Sequence, residues 1–178
     1  MFPIRLTLLF TLTVFLGSCA IFGSRSKTEL LIPREDDVQG QFEVAFSKEK
    51  DARSYFDENK RAEEMEVAIL AYEKVELWFP NDKRLTPVAA LKVAVIEAEL
   101  GDYTRAAKSY EHVLKQYPSD TEVRINALLG LGNCLDELKR PSEAQVYYKL
   151  LIDEFQTTTN PRYKTLVEQA RNNYRQIR

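Results

Sequence analysis

Histidine, cysteine, glycine and proline are scarce in this sequence. Its positive and negative charges are also nearly balanced. A single histidine argues against a histidine-based metal site or a Ser-His-Asp triad, and two cysteines cannot build a disulfide framework. Six glycines and seven prolines are too few for a loop-rich β fold. Since 25 Lys and Arg face 27 Asp and Glu, no polybasic arm for nucleic acid dominates the chain. The 178 residues therefore favour one small helical domain.

The beginning of the chain is typical of a bacterial secretion signal. Residues 6–16 form an uncharged apolar run behind Arg5. This run is shorter than the roughly 20 residues that a membrane-spanning helix needs. An ordinary signal peptide or an uncleaved anchor remains an alternative, because no charge occurs from residue 6 to residue 24.

The next residues, Leu16-Gly17-Ser18-Cys19, resemble the lipobox of bacterial lipoproteins. The resemblance implies a signal peptide at residues 1–18, cleavage before Cys19 and a covalent lipid on the Cys19 thiol. No other cofactor is expected, and no metal. Because Ala20 follows the cysteine, the same resemblance favours the outer membrane, with the protein facing the periplasm. The lipidated cysteine and a flexible tether are expected to occupy residues 19–41.

Three stretches of the chain repeat one pattern at a constant spacing. Each has an alanine, a tyrosine four positions later and an aliphatic residue three positions after that, so the three side chains share one face of a helix. The repeated residues are Ala68, Ala106 and Ala144, then Tyr72, Tyr110 and Tyr148, then Val75, Val113 and Leu151. A second apolar stripe lies upstream of each. The pattern predicts an all-α solenoid of three helix-turn-helix units at residues 46–82, 83–120 and 121–158, within a domain of residues 42–159.

Turn and cap residues separate the helices of these units. Gly101 suits the position just after a helix in the second unit. In the first unit the turn is expected near Arg61 and Ala62. Thr86 and Asn160 each precede a proline, which predicts a helix N-cap at both positions.

These residues resemble the tetratricopeptide repeat (TPR) family. The matching residues are Ala68 and Tyr72 in the first unit, Gly101, Ala106, Tyr110 and Pro118 in the second, and Ala144 and Tyr148 in the third. The similarity covers residues 46–156. The repeat is longer than the roughly 34 residues of the family. Its length resembles that of the repeats in envelope proteins such as the BamD family of outer-membrane assembly lipoproteins. The resemblance implies a scaffold that binds other proteins.

The resemblance also implies a concave groove, lined by the first helix of each unit, that receives a partner protein. The groove residues would be Arg53, Asp57 and Lys60 in the first unit, Leu91, Val95 and Glu99 in the second, and Asn126, Leu129, Asn133 and Asp136 in the third. Such a groove is charged at one end, apolar in the middle and polar at the other end. That distribution suits an extended peptide or a partner's helix better than a small metabolite.

A final helix is expected at residues 160–178, where it would cover the last unit. Its apolar positions follow a helical period from Tyr163 to Ile177. The opposite face holds five basic residues and one acidic residue. This face is either simply solvated or in contact with anionic lipid or an acidic partner.

No set of residues in this sequence resembles an acid–base pair or an activated nucleophile, so we expect no enzyme. His112 is expected at the surface, and Cys134 is expected to be a semi-buried thiol. The predicted function is a membrane-anchored protein-binding scaffold of the bacterial cell envelope, acting in outer-membrane protein assembly. Alternatives are an adaptor or pilotin-like lipoprotein of a pilus, secretion, cell-wall or Tol machine, and a surface-exposed lipoprotein. Neither nucleic acid nor a small-molecule substrate is expected as a partner.

Overall fold

A computed structural model describes residues 32–177 of the chain. The predicted signal peptide, Cys19 and most of the predicted tether lie outside these residues and stay predictions. Within residues 32–177 the backbone forms seven α-helices and no strand. The helices are α1 (Val38–Arg53), α2 (Glu58–Trp78), α3 (Thr86–Glu99), α4 (Tyr103–Gln116), α5 (Thr121–Glu137), α6 (Pro141–Phe155) and α7 (Pro161–Gln176). The predicted all-α repeat fold is confirmed.

The helices form a row of hairpins in which each helix packs against the next along the chain. Helix α3 also contacts α5, and α5 contacts α7, so these helices lie side by side in one layer. We call α1, α3 and α5 the first helices and α2, α4 and α6 the second helices of the three hairpins. Helix α7 takes the place that a first helix would have in a fourth hairpin, and it covers the end of the row.

The nine alanine, tyrosine and aliphatic residues of the repeated pattern are all buried in the core of the hairpins. The alanines allow close approach of the helices, and the tyrosines fill the space beyond them. Two glycines of α5 receive these rings. A Cβ atom at Gly130 would overlap the ring of Tyr110, and one at Gly132 would overlap the ring of Tyr148. Helix α5 thus takes one tyrosine from the hairpin before it and one from its own.

The turns after α3 and α5 have the same geometry, with different residues at the critical position. Gly101 has φ +80°, as expected for a residue just after a helix, and the Asp102 amide donates to the Glu97 carbonyl at 3.0 Å. One repeat later, Lys139 has φ 60° in the corresponding place. A side chain with a Cβ atom is strained there, whereas glycine is not.

Helix α1 begins at Val38, so the predicted tether extends four residues too far. The side chain of Asp37 caps the helix by accepting from the Gly40 amide at 2.8 Å. The side chain of Gln41 is buried and accepts from the Glu35 amide at 2.9 Å. The apolar pattern of α1 is weak because two of its four buried residues, Gln41 and Glu49, are polar.

The predicted turn near Arg61 and Ala62 is wrong, because both residues lie inside α2. Helix α2 has 21 residues and α4 has 14 residues, and the additional turns of α2 lie at its N-terminus. The constant spacing therefore predicts the second helices correctly, but it misplaces the turn between α1 and α2. Asp57 caps α2 by accepting from the Lys60 amide at 2.8 Å.

Of the two predicted N-caps, one is confirmed and one is wrong. Asn160 caps α7 by accepting from the Arg162 amide at 2.9 Å. Thr86 is instead the first residue of α3, and its hydroxyl donates to the Phe79 carbonyl at 2.8 Å. The N-cap of α3 is Leu85, which has no side-chain cap. The carboxylate of Asp82 accepts from the Leu85 amide at 2.6 Å and from the Thr86 amide at 3.4 Å.

We expect Lys139→Gly to stabilise the protein by about 0.5–1 kcal/mol, because glycine relieves the left-handed strain in this turn. Urea unfolding followed by circular dichroism measures the change. Lys108→Gly, in the exposed middle of α4, is the matched control and should destabilise by about 1 kcal/mol. A loss of stability in Lys139→Gly comparable with the control would contradict the expectation.

Candidate functional site: the face of the first helices

Eight of the ten predicted groove residues lie on first helices. Helix α1 carries Arg53 as its last residue, α3 carries Leu91, Val95 and Glu99, and α5 carries Asn126, Leu129, Asn133 and Asp136. Asp57 and Lys60 do not belong to this set. They lie at the start of α2, because the turn of the first hairpin comes earlier than predicted.

An ion network around Glu49 lies at the charged end of the predicted groove, where Arg53 and Glu99 also line an open pocket of about 420 Å³. This carboxylate is 3% exposed. It accepts from the Tyr72 hydroxyl at 2.6 Å, from the Lys92 ammonium at 3.1 Å and from the Arg53 guanidinium at 2.9 Å. Arg53 also pairs with Glu99, at 2.7 Å. The network joins α1, α2 and α3 and engages both Arg53 and Glu99.

The pKa of Glu49 reflects two opposing effects. Burial alone would raise the pKa, because it disfavours the charged form. The hydrogen bonds from Tyr72, Lys92 and Arg53 outweigh burial and hold the pKa below the usual value. Glu49 is therefore a carboxylate at neutral pH and acts as a structural anion.

The middle of the predicted groove belongs largely to the core. Leu129 is 6% exposed and lies within the main hydrophobic cluster. Leu91 and Val95 are half-buried and pack against the same cluster. This stretch therefore offers a partner little open apolar surface.

An open cleft of about 400 Å³ lies at the polar end of the face. Its lining residues come from α3 to α7: Ala98, Tyr103, Tyr110, Gly130, Asn133, Cys134, Asp136, Glu137, Tyr148, Asn173 and Gln176. The Asn133 side-chain oxygen accepts from the Tyr148 hydroxyl at 2.8 Å and from the Asn173 amide at 2.9 Å. Asp136 and Glu137 are exposed at the rim. Two predicted groove residues, Asn133 and Asp136, thus line a real cleft.

The three repeated tyrosines differ in what their hydroxyl groups contact. Tyr72 donates to Glu49, and Tyr148 donates to Asn133. Both acceptors stand four residues before the last residue of their helix, α1 or α5. In α3 that position is Val95, which cannot accept. The Tyr110 hydroxyl has no hydrogen bond to any residue within 32–177, and Tyr110 lines the cleft.

Two single residues behave much as expected. His112 is exposed on α4, with its Nε2 atom 2.8 Å from a carboxylate oxygen of Glu76. Cys134 is 2% exposed, which is deeper than predicted, and burial raises the pKa of its thiol to about 11. It stays protonated at neutral pH. No group of three or more His, Cys, Asp and Glu residues within 32–177 could hold a metal ion.

Sequence reasoning missed Glu49, Tyr103, Asn173 and the unpaired state of Tyr110. The first three lie on helix faces that the repeat spacing did not place together. The unpaired state of Tyr110 could have been predicted from the sequence. A comparison of Val95 with Asn133, which occupy equivalent positions in successive repeats, already shows that the second hairpin lacks the acceptor of the third.

Two protein-family models match this chain. The model described as tetratricopeptide repeat matches residues 97–170, and the model described as soluble NSF attachment protein, SNAP, matches residues 38–127. The second match begins at the first residue of α1 and covers half of the chain. The chain belongs to the SNAP-like TPR proteins.

The two matches overlap at residues 97–127, so both models include α4 and the beginning of α5. TPR proteins generally bind protein partners or peptides, and a protein-binding scaffold is the function that membership implies. No curated protein matches this TPR protein significantly. Within residues 32–177, no helix is both long enough and apolar enough to cross a membrane.

We expect Glu49→Gln to destabilise this TPR protein by about 1–3 kcal/mol at pH 7, because the variant loses the charge that two cations and a hydroxyl share. The pKa of Glu49 is lowered in the folded state, so its contribution is present above the usual value of 4.5 and is lost as the pH falls through the lower, folded pKa. Urea unfolding at several pH values measures this dependence.

The difference between the wild type and Glu49→Gln should therefore shrink as the pH falls below the usual value of 4.5. Glu63→Gln is the control, since the Glu63 side chain is 74% exposed and its pair with Lys60 is long, at 3.9 Å. This control should change stability by less than about 0.5 kcal/mol at any pH. Equal effects of the two substitutions at pH 7 would rule out a structural role for the Glu49 network.

Proposed function

We propose that this TPR protein is a lipid-anchored scaffold of the bacterial cell envelope that holds a segment of a partner protein against its first helices. The observation that carries the proposal is the open cleft at the polar end of that face, which the helices α3, α5 and α7 bound together. Side chains from consecutive hairpins meet there, as binding of an extended chain requires. Membership of the TPR proteins supports a protein partner.

The proposed location of the scaffold at the outer membrane is supported by the sequence alone. Leu16-Gly17-Ser18-Cys19 resembles a lipobox, and Ala20 after the cysteine favours the outer membrane. A lipid on Cys19 would keep the domain at a membrane surface. Several acyl chains hold far more firmly than one, since each buried CH₂ contributes about 0.8 kcal/mol.

Within the envelope, we propose a role in outer-membrane protein assembly. The long repeat supports this role, because its length resembles that of the repeats in the BamD family. The test must also be able to find a pilus, secretion, cell-wall or surface partner, since each of these machines uses anchored adaptors.

We expect the protein to incorporate labelled palmitate and to fractionate with the outer membrane. Cys19→Ala should abolish both, because it removes the acylated thiol. Cys134→Ala is the matched control: it removes the other cysteine of the chain and should change neither result. Palmitate incorporation into Cys19→Ala, or a wild-type protein free of label, would exclude the lipid anchor.

The partner is identified by cross-linking intact envelopes and capturing the wild-type protein, with Cys19→Ala in parallel. Mass spectrometry should find a component of the outer-membrane assembly machinery in the wild-type sample and lose it with Cys19→Ala. Pilus, secretion or cell-wall components in its place would overturn the assembly role and leave the anchored scaffold standing.

A further inference from the structure

The Tyr110 hydroxyl is an unused donor at the wall of the cleft. Tyr110 is 4% exposed, so nearly all of the side chain is buried, and its end reaches the cleft past Gly130, which has no Cβ atom to block it. The corresponding hydroxyls of Tyr72 and Tyr148 both donate to protein acceptors. The Tyr110 hydroxyl has no acceptor among residues 32–177 and is open to solvent in the cleft, because it is not one of the buried polar atoms left without a partner. The missing acceptor is therefore one that a bound molecule can supply.

The rim of the same cleft carries negative charge that the described protein does not neutralise. Asp136 and Glu137 end helix α5, where the helix dipole already disfavours a negative charge. Glu99 ends α3 in the same way, but it pairs with Arg53, the last residue of α1, at 2.7 Å. Neither Asp136 nor Glu137 has an ion pair within residues 32–177. Among the described residues, the end of α5 therefore lacks a cation in the position that Arg53 occupies at the end of α3.

The remaining lining groups are suited to a polypeptide backbone. No lysine or arginine of residues 32–177 lines the cleft. The Asn133 side-chain oxygen is occupied, while its NH₂ group has no partner among the described residues and can donate. The half-buried ring of Tyr103 adds an aromatic wall, which favours a nearby cation.

We propose that this cleft binds an extended peptide segment of the partner protein that carries a lysine or arginine. The Tyr110 hydroxyl and the Asn133 amide donate to its backbone carbonyls, and its basic side chain pairs with Asp136 and Glu137. An amphipathic helix fits less well, because the neighbouring apolar residues of α3 and α5 are engaged in the core. This inference rests on the proposed function, since it names the chemistry of the segment that the scaffold holds.

The test uses the full acylated protein in detergent and a displayed library of random dodecapeptides. We expect the selected peptides to contain lysine and arginine several times more often than the unselected library. The best peptide, synthesised with a fluorescent label, then gives dissociation constants by anisotropy at two salt concentrations.

Four variants separate the two contacts from general effects. Tyr110→Phe should weaken binding of the labelled peptide about tenfold, with thermal unfolding unchanged, because the lost hydroxyl has no partner in the free protein. Asp136→Asn with Glu137→Gln should weaken binding at least tenfold and remove most of its salt dependence. Glu63→Gln with Glu64→Gln, an equal loss of charge on α2, and Lys108→Gln, an exposed change on α4, should leave binding unchanged.

Selected peptides without an excess of basic residues would overturn the proposal. So would no selected peptide at all, or equal affinity of the wild type and the Asp136 and Glu137 double variant. Failure here is distinct from failure of the proposed function. If an envelope partner is still captured through the Cys19-anchored protein while these peptides fail, the scaffold stands and only the chemistry of its cleft is wrong.

Discussion

Each hairpin of this protein depends on a tyrosine of its second helix that packs against a first helix, its own for Tyr148 and the next one for Tyr110. The ring fills the gap beside a buried alanine. A hydroxyl that is buried away from water costs free energy unless it finds an acceptor. The first hairpin supplies a buried carboxylate, Glu49, and the third supplies an amide, Asn133. The second has Val95 at this position, and its Tyr110 hydroxyl faces the cleft without an acceptor among residues 32–177.

This one position, four residues before the end of each first helix, therefore distinguishes the three hairpins. With Glu49 it becomes the centre of an ion network that fastens α1 to its neighbours. With Asn133 it becomes a polar junction that also receives α7 through Asn173. With Val95 it holds a half-buried aliphatic side chain that packs against the core and offers no acceptor. Structural and candidate binding roles follow from the same backbone geometry with three different side chains.

The repeat spacing was enough to predict the second helices, their buried alanines and tyrosines, and the fold class. It could not predict α1, because Gln41 and Glu49 occupy positions where an apolar pattern would need aliphatic residues. It misplaced the first turn, because α2 is much longer than α4. The misplaced turn also shifted the groove residues of the first unit, because Asp57 and Lys60 lie on α2 and not on a first helix. Asn133 lies on α5 and lines the cleft. Burial of the middle of the groove depends on contacts between hairpins, which no single stretch of sequence contains.

The two glycines of α5 have a consequence for how freely this array could be shortened or lengthened. Glycine inside a helix costs about 1 kcal/mol each relative to alanine, so α5 is a poor helix until both Tyr110 and Tyr148 are packed against it. Neighbouring hairpins are then not interchangeable modules. A chain cut on either side of α5 would keep the glycines and lose one of the rings that compensate for them. The stability of each of the last two hairpins therefore depends on the other, although the sequence presents them as separate repeats.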